Sequence, residues 1–145
     1  MPIALKKPMI IALVLITGAA FAKEGVKDPT VKARMELMDT IAANTKALGE
    51  MAGGKTAFDA VAAGTAKAAI AAAAAQIPGK FEPQATDPVS VAKADIWTNW
   101  DDFVKKSQVL LAAADALDAS TVEGVQAGMA GLGGACKGCH STYQN

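Results

Sequence analysis

The chain has 145 residues, 52% apolar, 19% charged and 5% aromatic, with 14 basic and 14 acidic side chains in formal balance. That length accommodates one domain with at most a targeting segment, and an apolar share dominated by alanine suits close-packed helices better than a β-sandwich. A neutral chain whose only arginine is Arg34 has no electrostatic footprint for nucleic acid.

Residues 1–22 read as a secretory signal: Lys6 and Lys7 form a basic start, Met9 to Ala20 an apolar run, and Ala20-Phe21-Ala22 a small-x-small cleavage site. The apolar run falls well short of the roughly 20 residues that span a bilayer, so no integral membrane segment is expected in the mature chain. Cleavage after Ala22 leaves residues 23–145, with 12 basic and 14 acidic side chains and a net charge of −2. Export places the two cysteines where disulfides survive. A bridge between Cys136 and Cys139 would close almost no loop, however, and would add little stability.

Four amphipathic helices follow in the sequence. Asp28-Pro29 is a cap followed by proline at the first helical position, opening a helix expected to run to about Met51 and to end at Gly53-Gly54. Thr56 and Asp59 begin a second, alanine-rich helix that Pro78-Gly79 is expected to stop. Residues 78–89, with three prolines, form the only long connection. A third helix is expected from near Ser90 to about Leu117, and Ser120 with Glu123 forms a capping box for a fourth that runs to the C-terminus. The pattern predicts an all-α, antiparallel up-down-up-down four-helix bundle, with a crossover bundle as the alternative if the long connection traverses one end.

Near the end stands Cys136-Lys137-Gly138-Cys139-His140. C-x-x-C-H is the c-type haem attachment signature: two thiols one helical turn apart add to the two vinyl groups of one porphyrin, and the adjacent His140 supplies an axial nitrogen to the iron. Both cysteines and the chain's only histidine fall inside this motif. A thioredoxin-like dithiol would want a βαβ context, which the sequence lacks, and a tetrahedral zinc site would have to take its fourth ligand from an unmarked carboxylate.

With the motif on the last helix, and with Val31-Lys32-Ala33-Arg34, Ile96-Trp97 and Gly134 to Tyr143 as further points of similarity, the mature chain resembles the class II cytochromes c. This is the cytochrome c′ and cytochrome c-556 family of periplasmic four-helix bundles, and the low-spin c-556 type lies nearest. The resemblance implies one covalently bound haem c per chain, periplasmic localisation and a non-enzymatic role.

Whether such a protein carries electrons or binds gas depends on the sixth ligand. Met129 shares a helix with His140 about 16 Å away, and Met51 lies about 20 Å along the first helix from Met38, which leaves Met35 and Met38. In the family the distal position lies four residues after an arginine of the first helix, which selects Met38. The resemblance also implies that Arg34 binds a haem propionate. Trp97 and Phe103 either wall the porphyrin or fill the bundle, and Tyr143 edges the proximal side or serves packing. Relatives commonly follow this tyrosine with a basic residue, where this chain has Gln144. Lys137 either aids docking or is simply solvated.

The expectation is a monohaem one-electron carrier with His140 and Met38 as axial ligands and unidentified redox proteins as partners. The alternative is a five-coordinate cytochrome c′-type protein that binds NO or CO. Alanine-rich faces on the first two helices also allow a homodimer.

Overall fold

The computed structural model describes residues 25–145, so the targeting signal read at residues 1–22 lies outside the described residues. The Asp28 carboxylate accepts from the amides of Thr30 and Val31 at 2.8 and 2.9 Å, and with Pro29 at the first position it starts α1, Pro29–Ala52. Val31, Arg34, Leu37, Ile41 and Leu48 form its buried stripe. Gly54, at φ +71°, turns the chain away.

The second helix, α2, Ala60–Phe81, departs from expectation at both ends. It starts at Asp59 rather than Thr56, because the Asp59 carboxylate takes the amides of Val61 and Ala62. It also runs through Pro78-Gly79 instead of stopping there. Ile77 and Phe81, one turn apart, are both buried, and their burial outweighs the hydrogen bond that the proline ring removes.

The expected third helix is two. A single turn, α3 (Asp95–Thr98), is separated from α4 (Trp100–Ala116) by Asn99 at φ −119°, ψ 43°. The side chains of Thr98 and Asn99 both donate to the Asp95 carbonyl, a local competition that breaks the ladder. The last helix, α5, spans Val122–Tyr143, and its cap is Thr121, which accepts from Gly124 N; Ser120 is bound instead to Asp118.

α1 packs on α2 and α5, and α4 packs on α2 and α5, so each long helix has two long neighbours in an antiparallel four-helix bundle. The α2–α4 adjacency rules out the crossover arrangement. Among the described residues α2 alone is long and apolar enough to cross a membrane; here its buried alanines pack within the bundle.

Glycine lets the α4–α5 corner close. A Cβ on Gly128 would stand 2.7 Å from Leu117 Cγ, whereas Gly64 on α2 faces open space. Gly128→Ala is therefore expected to lower the unfolding free energy by about 1–3 kcal/mol. Gly64→Ala should raise it by about 0.5–1 kcal/mol, both read from denaturant unfolding curves.

Candidate functional site

A cleft with about 660 Å³ of atom-free space, open to solvent on one side, lies between the first half of α1 and the end of α5. Val31, Arg34, Met35 and Met38 line it from α1, Phe81 from the end of α2, Phe103 from α4, and His140 and Gln144 from the C-terminal end. The remaining wall is Ser90, Val91 and Ala92 of the connection before α3. The cleft thus gathers Arg34, Met35, Met38 and His140, residues 100 or more positions apart in sequence for the α1 to His140 pairs.

Cys136 and Cys139, one turn apart on α5, are half-buried and pack against the hydrophobic core; they do not line the cleft, which His140, the residue after Cys139, does. Both thiols are free, and burial pushes both up from the ordinary thiol range. Thiols raised in this way are poor nucleophiles for a redox dithiol. Among the described residues no group of three or more His, Cys, Asp and Glu side chains is placed to hold a metal ion. The apolar cleft, the paired thiols and the neighbouring imidazole fit a covalently held porphyrin: an apolar seat for the ring, two sulfurs for its vinyl groups and a nitrogen for its iron.

Arg34 is 2% exposed, and its surroundings explain how a charge is tolerated there. Nε donates to Lys80 O at 3.0 Å, Nη1 to Ala85 O at 2.9 Å, and Nη2 to Pro83 O. The guanidinium also lies over the rings of Phe81 and Trp97, at 5.0 and 5.3 Å from their centroids. Desolvation lowers its pKa from the ordinary arginine value, opposed by the Asp28 carboxylate. Three of its five N–H bonds are engaged, which leaves two for a carboxylate at the cleft.

Of the aromatic residues singled out in the sequence, Phe103 lines the cleft and Trp97 does not; Trp97 packs on Arg34 and donates from Nε1 to Phe81 O at 2.7 Å. Phe103 is the hub of an aromatic cluster, with ring centroids 5.1 Å from Phe81, 5.6 Å from Trp100 and 5.4 Å from Tyr143. Tyr143 is buried behind Phe103, and its hydroxyl donates to Asp102 Oδ2 at 2.7 Å, tying the last turn of α5 to α4. Phe81 had no signal as a cleft residue because Pro78-Gly79 marked it as loop, and residues 90–92 had none because they read as the start of a third helix that in fact begins at Asp95. Lys137 is exposed.

Two outcomes follow from this geometry. Arg34→Lys removes the fork and the stack while keeping the charge, and is expected to cost about 1–3 kcal/mol in chemical denaturation. Burial, then the Asp102 hydrogen bond, push the Tyr143 pKa up to about 12. The native state therefore holds this proton more tightly than the unfolded chain. Its contribution is complete below the unfolded pKa of about 10 and fades as pH rises from there towards the folded value. Tyr143→Phe should flatten that part of the stability profile between wild type and variant, measured by unfolding across alkaline pH.

Residues 29–144 match the family model described as Cytochrome C′. The chain is 36% identical to a cytochrome c-556 of Agrobacterium tumefaciens (strain II Chrys) over 117 residues, covering 79% of this chain and 95% of that protein. It is 33% identical to a cytochrome c′ of Pararhodospirillum photometricum over 120 residues, covering 79% and 94%. In structure it is similar to cytochrome c prime from Shewanella frigidimarina, with a TM-score of 0.72 and 29% identity over 80% of this chain and 94% of that one. The chain belongs to the cytochrome c′ family, the class II cytochromes c that include cytochromes c-556, and is a monohaem c-type cytochrome whose prosthetic group is covalently attached haem c.

Proposed function

We propose that this protein is a periplasmic one-electron carrier in which Cys136 and Cys139 bind the haem through thioethers, His140 is one axial ligand and Met38 the other. The observation that supports this reading is that one cleft is lined both by Met38 of α1 and by His140 of α5, which follows two free, half-buried thiols. Haem c supplies an iron that gains and loses single electrons without a proton or group being transferred.

The chain's own residues do the rest. Cys136 and Cys139 would hold the ring through two thioethers, each S–H adding across one vinyl group with no atom lost. Phe81, Phe103 and Val31 would keep water from the ring, and Arg34, with two N–H bonds not engaged by its three carbonyl partners, would hold a propionate. Met35 also lines the cleft, and the family's spacing from Arg34 selects Met38 over it. The exposed end of α5, with Lys137, Gly138 and His140, offers a redox protein its approach. The signal pattern at residues 1–22 supports export to the periplasm.

Met38→Ala is expected to abolish the six-coordinate low-spin bands of the reduced-minus-oxidised spectrum and to open the reduced protein to CO, while Met35→Ala keeps both properties of the wild type. Unchanged low-spin bands in Met38→Ala would exclude Met38 as a ligand. A wild type that lacks those bands and takes up CO directly would favour the gas-binding alternative.

A further inference from the structure

The connection between α2 and α3, residues 82–94, is a strap across the cleft rather than a plain loop: Ser90, Val91 and Ala92 form one of its walls. At its beginning Arg34 holds the carbonyls of Lys80, Pro83 and Ala85. At its end Lys93 N donates to Tyr143 O and Asn145 N to Val91 O, both at 2.9 Å, and Ala92 pairs with Gln144 in an isolated antiparallel bridge.

Between these anchors lies Asp87, 9% exposed. Its Oδ2 accepts from Lys27 N at 2.8 Å and Asp28 N at 2.9 Å, and its Oδ1 accepts from Val89 N at 3.1 Å. Two of those amides belong to the chain entering α1, 60 and 59 residues away. Apolar burial does little for this stretch, because Val89 and Val91 are 41% and 49% exposed. The middle of the strap is therefore held by polar contacts, and a carboxylate accepts on both oxygens where an amide side chain accepts on one.

We propose that Asp87 is a positioning residue of the haem pocket: its carboxylate latches the strap to the entry of α1 and keeps the wall formed by Ser90, Val91 and Ala92 closed over the haem. The proposal rests on the reading of the cleft as the haem seat. Lys27 is the charged side chain facing Asp87; the Asp28 carboxylate is turned onto the amides of α1, and Arg34 is engaged at the start of the strap. The amide contacts, Asp28 N first, hold the Asp87 carboxyl below its ordinary range. The latch is thus complete at neutral pH and is lost only as pH falls through that lowered value.

The test compares holoprotein wild type and Asp87→Asn at neutral pH, by residue-resolved amide exchange and by the rate at which ascorbate reduces the ferric haem. In the variant the amides of Lys27, Asp28 and Val89 should exchange at least about tenfold faster, with α1 from Leu37 to Leu48 unchanged and the haem reduced faster. Val125→Ala, a core variant about 22 Å from His140 along α5, should leave both readouts at wild-type values. Unchanged protection at the three amides, or lost protection with an unchanged reduction rate, would overturn the proposal. Should Asp87→Asn fail to fold, acid titration of the wild type decides: exchange at these amides rising before helical circular dichroism falls is expected, and coincident changes would refute the latch. A chain isolated without covalent haem would defeat the functional reading and the proposal with it, whereas unchanged exchange in haem-loaded Asp87→Asn would defeat the latch alone.

Discussion

The site depends on the burial of one guanidinium. Arg34 sits on the inward stripe of α1, where an unpartnered charge would be prohibitively desolvated. Its partners are three backbone carbonyls and two aromatic faces, and all come from the end of α2, the connection after it and α3. Satisfying that charge folds residues 80–85 back onto α1, carries Phe81 to the cleft and sets the course of the strap that forms its far wall. The side chain proposed to bind a haem propionate is thus also the organiser of the pocket's protein wall.

The other half of the site is built by α5. Six of its 22 residues are glycine, so its helical propensity is poor and its position is imposed from outside. Close contact with the α4 corner at Gly124 and Gly128 fixes one end. The Tyr143 hydrogen bond to Asp102 and the bridge of Gln144 to Ala92 fix the other, immediately after His140. The motif is held between these anchors, with its thiols turned toward the core.

Much of this was legible in the sequence where the signal is local. Asp28-Pro29 marks the start of α1 correctly because cap and proline act within one turn, and C-x-x-C-H names its cofactor because the chemistry requires those residues at that spacing. The errors share a cause. Pro78-Gly79 is a helix stop by propensity, yet the tertiary burial of Ile77 and Phe81 carries α2 past it. Asn99 and Thr121 decide helix ends through side-chain bonds that competed with equally plausible neighbours, Ser120 among them. The carbonyl partners of Arg34 lie 46 to 51 residues away and carry no side-chain signature, so only the propionate role suggested by resemblance was visible beforehand.

A haem function for this cleft requires covalent attachment at Cys136 and Cys139. Intact mass spectrometry under denaturing conditions, on the chain matured in a host that exports and assembles c-type cytochromes, tests it most directly. The predicted result is the mass of residues 23–145 plus one haem, with the increment mapped to the peptide containing Cys136 and Cys139. The mass of the bare polypeptide would contradict it.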